Sequence, residues 1–260
     1  RAIAQMAGIS APLYACEHYA LITKPFDGIY TGMPVLGAHD GYMYIRDEGQ
    51  GLLVGSFEPN ARPVDLNDLP KDFSFDLLEE NWDHFEPIMK EALHRIPALE
   101  NAEVRTLLNG PESFTLDGAF LMGEAPEVPG FFMCCGMNSM GVASSGGAGK
   151  ALADWIIDGD PGVDLSSVDV RRFTRVRNTL NTIRDRAAEN LSLHYAIGYA
   201  GQEFESARAL RLSPLHERLA SLGAEFGDRA GWERPSWFQP TGGGVSTELK
   251  FGKPNWFECV

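Results

Sequence analysis

Hydrophobic and polar positions alternate along the first quarter of the chain and then change period. Residues 12–23 (PLYACEHYALIT) mix aromatic and aliphatic positions and predict a strand. Residues 41–47 (GYMYIRD) and 51–58 (GLLVGSFE) are two more strand patterns, joined by Glu48, Gly49 and Gln50 as a hairpin. A period of two puts Tyr42, Tyr44 and Arg46 on one face and Met43 and Ile45 on the other. That split suits an antiparallel sheet with its core on one side and a ligand cleft on the other. It equally suits a plain sheet surface carrying tyrosines. Residues 24–34 and 59–72 read as Gly- and Pro-rich connections. From 77 to 96 the period becomes three and four, through Trp82, Phe85, Ile88, Met89, Leu93 and Ile96, which predicts a helix. Pro87 inside it predicts a kink or a fresh start. Residues 104–109 and 120–123 read as strands around a polar turn at 110–118.

The stretch from 131 to 157 (FFMCCGMNSMGVASSGGAGKALADWII) organises the middle of the chain. Residues 131–135 predict a buried strand, with Cys134 and Cys135 on opposite faces as small hydrophobes. Glycines at 136, 141, 146, 147 and 149 predict a long turn, with a helix beginning near Gly146. A strand, a glycine-rich turn and a helix start can bind a polar or negative group, or can be a tight connection that binds nothing. Two specific motifs are absent. Ser144 and Ala151 break the phosphate-loop spacing around Gly149 and Lys150, and no Gly-x-Gly-x-x-Gly occurs in the chain. Beyond residue 161 the pattern weakens. Residues 171–190 are charge-rich and predict an exposed helix or one packed on another domain. Ser213 and Pro214 mark a helix over 213–222, and 223–233 reads as loop. Two similar segments, Pro235-Ser-Trp-Phe238 and Pro254-Asn-Trp-Phe257, predict extended aromatic plugs.

Composition narrows the partners. The 260 residues carry a net charge of -14, which disfavours nucleic acid and anionic membrane surfaces. No apolar run reaches the ~20 residues of a membrane span. The four cysteines make no C-x-x-C pair and no disulfide framework, which predicts a reducing, cytoplasmic setting. The six histidines show no ligand spacing, so no metal site is predicted. The chain starts at Arg1 in mid-helix pattern and stops at Val260 without a cap, and is expected to be part of a longer protein.

Several segments together carry a resemblance. They are Cys16-Glu-His-Tyr19, Tyr44-Ile-Arg46, Gly51-Leu-Leu-Val-Gly55 with Phe57-Glu-Pro59, Trp82-Asp-His-Phe-Glu-Pro87, Asn109-Gly-Pro-Glu-Ser-Phe-Thr115 with Asp117, the glycine-rich turn, and Ala153-Asp-Trp-Ile156. Ser213-Pro-Leu-His-Glu-Arg-Leu219 and Gly231-Trp-Glu-Arg-Pro235 extend it. In their order and spacing the chain resembles the flavin-dependent dimethylglycine/sarcosine dehydrogenase family, within the glycine-oxidase and D-amino-acid-oxidase group.

The resemblance implies an α/β (α+β) fold: the C-terminal part of a D-amino-acid-oxidase-like FAD-binding domain with an antiparallel substrate sheet, then a helical or irregular connector. It implies domains at 1–163 (oxidoreductase), 164–234 (connector) and 235–260 (start of an aminomethyltransferase-like folate domain). The implied chemistry is FAD-dependent oxidative N-demethylation of a small N-methylated amine or amino acid. In the full-length protein the one-carbon unit would pass to tetrahydrofolate. Oxygen or an electron-transfer flavoprotein would be the acceptor. His18 and Tyr44 take the catalytic places. Gly136, Asn138, Ser139, Met140, Gly141 and Val142 take the flavin-contacting ones. Monomeric sarcosine oxidases hold the substrate carboxylate with a lysine in this turn, where Ala143 stands here, which weakens the case for sarcosine itself. With the family's dinucleotide fingerprint lying upstream, residues 1–260 alone are expected to hold FAD weakly and to associate into homo-oligomers or stay partly disordered. The rival reading is a flavin-fold relative without chemistry, serving as a folate-handling or subunit-contact module.

Overall fold

The computed structural model describes residues 1–65, 69–173 and 179–260. The parts of the 59–72 connection and of the 171–190 helix that fall at 66–68 and 174–178 lie outside the described residues. A short helix α1 (Ala2–Met6) leads into β1 (Leu13–Thr23). With β2 (Leu36–Ala38), β3 (Met43–Glu48), β4 (Gly51–Ser56) and β5 (Val104–Thr115) it forms a five-stranded antiparallel sheet in the order β2-β3-β4-β1-β5. The expected hairpin is β3–β4, turning through Gly49 and Gln50, both at positive φ. Tyr42 departs from its predicted face. It sits at φ 53 before the strand begins, so the alternation starts at Met43.

Each sheet face has its own cover. Tyr19, Leu21, Met43, Ile45, Leu52, Val54 and Leu107 pack on Phe85, Ile88 and Ala92 of α2 (Trp82–Arg95). This helix starts five residues later than predicted, because the Asn81 side chain caps it by accepting from the His84 amide at 3.0 Å. Pro87 lies inside this continuous helix and does not restart it. That residue is exposed, so water can satisfy the carbonyl it frees. β5 runs through most of the predicted 110–118 turn and ends at Thr115. It pairs with the whole of β1, from Leu13↔Thr115 to Thr23↔Val104. Pro111 is tolerated there because β5 is an edge strand.

The opposite face is half covered by α4 (Leu180–His194), whose Ile183, Ala187 and Leu191 lie on Tyr14, Cys16 and Phe114. The sequence pattern concealed this burial. Two further inward positions are Arg186 and Asn190, both buried, so the apolar stripe is narrow. Arg186 donates to Asp228 at 3.0 Å and to the carbonyls of Ser206 and Ala207, with Phe204 under its guanidinium at 4.4 Å.

The middle segment forms a hairpin of β6 (Leu121–Glu124) and β7 (Phe132–Cys135) followed by α3 (Gly141–Asp158). Cys134 and Cys135 do face different clusters, and burial pushes both thiols up. The helix begins five residues before Gly146, so Gly146, Gly147 and Gly149 are helical and the turn shrinks to 136–140. Glycine costs a helix roughly 1 kcal/mol relative to alanine. Packing of Ala148 and Ala151 on Met122 and Val168 offsets that cost. Further along, α5 (His216–Ser221) is shorter than predicted, because the Ser213 hydroxyl caps the Leu215 amide ahead of it. The predicted loop at 223–233 is instead most of a hairpin, β8 (Ala224–Arg229) and β9 (Trp232–Phe238), turning through Ala230 and Gly231 at φ 54 and 83. The first aromatic plug is therefore strand. Its Trp237 stacks on Trp256 of the second copy, centroids 6.2 Å apart.

Arg186→Ala should lower stability by about 3–5 kcal/mol, since it strands the buried Asp228 carboxylate and two carbonyls. A urea midpoint equal to the parent's would show that this network holds nothing together.

Candidate active site

α4 ends at His194, and the sheet face beyond its end is open. Register arranges that face in rows. Tyr44, Gly55, Ala20 and Leu108 form one row, and Arg46, Leu53, Ile22 and Thr106 the next. His18 pairs with Gly110 on the side nearer α4. Gly55 is required by this arrangement. A Cβ there would fall inside the Tyr44 ring, so the glycine lets the ring lie across the sheet.

Tyr195, the residue after α4, links the two predicted catalytic positions. Its ring stacks on Phe57 at 4.5 Å and lies 6.4 Å from the His18 ring at an interplanar angle of 25°. Phe57 in turn lies 5.5 Å from Tyr44 and stacks on His39 at 4.9 Å. His39 Nδ1 donates to the Tyr195 carbonyl at 2.8 Å, which fixes the chain where it leaves the helix. The sequence thus supplied His18 and Tyr44, and the fold joins them through two aromatic rings.

Two carboxylates flank His18. Glu112 Oε2 is 3.9 Å from Nε2, and Glu58 Oε1 is 3.9 Å from Nδ1. Glu58 is buried and organises three elements: it accepts from the Tyr19 amide at 3.1 Å, from the Ser56 hydroxyl and from His84 Nε2 at 2.9 Å. Burial raises the Tyr44 phenol, against the nearby Arg46 charge and with that of Glu112. Burial also raises the Tyr195 phenol, with Ser139 opposing and Glu112 and Tyr44 adding to the rise. Both tyrosines therefore keep their protons at neutral pH and remain hydrogen-bond donors.

The predicted turn residues separate into three roles. Ser139 joins the group above, donating to Glu112 at 2.7 Å. Gly136 and Asn138 serve the turn itself. Gly136 is at φ 64, and a Cβ would press on Thr115 at 3.0 Å. The buried Asn138 accepts from the Thr115 amide at 2.9 Å and donates to the Gly136 carbonyl at 2.6 Å. Met140, Gly141 and Val142 form the open start of α3, where Val142 is 97% exposed. No side chain caps this start, and the first bond back is Ser144 N–H to Met140 O, so the amides of Gly141, Val142 and Ala143 have no helical acceptor. Phe57, Glu58, Glu112 and Tyr195 were not singled out from the sequence. The first three lie in the strand segments quoted for the resemblance, and strand register could have found Glu112. Tyr195 has no local signal.

Residues 1–155 match the FAD dependent oxidoreductase family, and residues 158–213 match the FAD dependent oxidoreductase central domain. Across its full length the chain is 40% identical to 4-methylaminobutanoate oxidase (formaldehyde-forming) of Paenarthrobacter nicotinovorans, spanning 31% of that protein. It is 39% identical over 97% of its length to the mitochondrial pyruvate dehydrogenase phosphatase regulatory subunit of Mus musculus, spanning 29% of it. It is 40% identical over 93% of its length to mitochondrial sarcosine dehydrogenase of Homo sapiens, spanning 26% of it. Among solved structures, glycine oxidase from Geobacillus kaustophilus superposes with a TM-score of 0.51 at 23% identity, over 66% of this chain and 42% of that one. That likeness concerns the fold alone.

Gly55→Ala must tip the Tyr44 ring off the sheet and should cost about 1–3 kcal/mol. Parent-like thermal stability in this variant would show that the ring does not need the glycine.

Proposed function

Because the chain belongs to the FAD-dependent oxidoreductase family, in the group that contains the sarcosine and dimethylglycine dehydrogenases, we propose that it carries the amine-binding part of a site for oxidative N-demethylation. The substrate is a small N-methylated amine or amino acid. The observation that carries this reading is the single open sheet face on which His18 and Tyr44 meet through Phe57 and Tyr195.

The residues present fit part of the cofactor. The uncapped amides of Gly141, Val142 and Ala143 suit its polar flavin end, and an added Cβ at Gly146, Gly147 or Gly149 would meet nothing within 4 Å, so that side of α3 is open. The chain supplies no closely spaced glycine fingerprint for the diphosphate. When bound, FAD supplies the hydride-accepting chemistry. The chain's own residues do the rest. Oxidation needs the amine nitrogen without its proton, and His18 is the group placed to take it. Glu58 and Glu112 stand one on each side of the imidazole, each 3.9 Å from a ring nitrogen. Tyr44 offers a protonated hydroxyl and an apolar wall, and with Phe57 it keeps water from that side.

A one-carbon unit would then leave as formaldehyde, the product printed in one relative's name, or pass to tetrahydrofolate in the whole protein. The domain boundaries at 163 and 234 and a homo-oligomeric state belong to the same proposal, as does an electron-transfer flavoprotein or oxygen as acceptor. A cytoplasmic location rests on cysteine usage, while two of the relatives are named mitochondrial. Among the described residues no helix is long and apolar enough to cross a membrane. The rival non-catalytic reading would leave no need for a histidine set between two carboxylates on an open aromatic face.

In the whole flavoenzyme, His18→Ala and Tyr44→Phe should each slow flavin reduction by an N-methylated amine by about 10²–10⁴-fold and about tenfold respectively, with flavin content little changed. Stopped-flow reduction at the parent rate in both variants would remove these residues from the site.

A further inference from the structure

Tyr195 belongs to the segment that matches the central domain, yet its side chain is built into the sheet face of the oxidoreductase segment. It is held three ways. Its ring stacks on Phe57, the His194 ring lies perpendicular to it at 4.6 Å, and His39 fixes its carbonyl. A residue that merely ended α4 would need neither the first nor the last.

The chemistry around it is one-sided. Among the positions that register puts on this face, Arg46 is the one permanent cation, and it is engaged with Glu48 at 2.7 Å and the Asp47 carbonyl at 3.0 Å. Near Tyr195 stand the carboxylate of Glu112 and the ring of Tyr44. Aromatic faces beside a carboxylate attract an alkylated ammonium group and give an anion nothing to hold.

Resting on the amine reading above, we propose that Tyr195 is a specificity-determining residue of this site. Its ring, backed by Phe57 and beside that of Tyr44, forms the wall that receives a methylated ammonium group, and Glu112 supplies the counter-charge. The site is then composite, completed by a side chain from the central-domain segment. Substrates would be sorted by their methylated nitrogen more than by a carboxylate next to it.

Tetramethylammonium is the test ligand, because it has the cationic methyl surface and no hydrogen on nitrogen to remove. Its dissociation constant for the whole flavoenzyme is measured by titration calorimetry, with acetate as the anionic control. Tyr195→Leu should weaken tetramethylammonium binding about tenfold, the size of a desolvated cation–π contact. Tyr195→Phe should stay within about twofold of the parent, and acetate should not respond to either change. Should Tyr195→Leu fail to fold, Glu112→Gln decides: weakening of threefold or more is expected, on the order of one charge contact near a protein surface. No binding of tetramethylammonium by the parent, or binding that ignores both Tyr195→Leu and Glu112→Gln, overturns the proposal. This readout needs no turnover. Failure of the N-demethylation reading appears separately, as an enzyme whose flavin no N-methylated amine reduces.

Discussion

A sheet with two apolar faces must cover both or leave one for a ligand, and here the length of α4 settles which positions are covered. Ile183, Ala187 and Leu191 shield Tyr14, Cys16 and Phe114, and the helix stops one residue short of Tyr195. Three consecutive inward positions of β1 show the effect. Tyr14 and Cys16 are buried, and His18, two residues on, is only partly so. A helix one turn longer would roof over His18. A helix one turn shorter would leave Cys16 in water, whose thiol burial now pushes up to about 12. The buried Arg186 ties this helix to the β8 strand and the 206–207 loop, so the end of α4 is positioned by more than its apolar stripe.

The second constraint is a buried charge. Glu58 sits between the end of β4, the middle of β1 and the start of α2, and each contributes a donor. A lone carboxylate there would be costly, whereas one with three donors locks the elements in a single arrangement. His18 Nδ1 is buried without a hydrogen bond and faces this carboxylate at 3.9 Å. The same group that fixes the sheet therefore lies within charge range of the residue proposed to handle the proton. Structure and chemistry share Glu58 in a way they do not share Glu112, which accepts from Ser139 and faces His18 Nε2.

Much of this was legible in the chain. Period-two patterning placed β1, β3 and β4, and the segments around His18 and Tyr44 led to the family. What stayed hidden follows physical rules. The 110–115 stretch looked like a turn because Gly110, Pro111 and three polar residues dominate it, and its place at a sheet edge is what lets it be strand. Glycines at 146, 147 and 149 read as turn because local propensity is weighed without the packing of Ala148 and Ala151. α4 looked exposed because Arg186 and Asn190 occupy inward positions that are satisfied by groups far away in sequence. Tyr195 could not be foreseen at all, since its meaning comes from where the helix before it ends. The turn residues were half readable: glycine and asparagine at positive φ were visible as a turn, but not that Asn138 serves Thr115 while Ser139 serves the site.

The central claim is that the open face between β3, β4, β1 and β5 receives the amine. A crystal structure of the whole flavoenzyme with N,N,N-trimethylglycine, a quaternary methylated amine with no proton on nitrogen, tests it most directly. The account predicts the ammonium group over the row of Tyr44, Gly55 and Ala20, within about 6 Å of the Tyr44 and Tyr195 ring centroids. Density for that group on the α2 side of the sheet, or between β9 and the Trp256 segment with the open face empty, would contradict it.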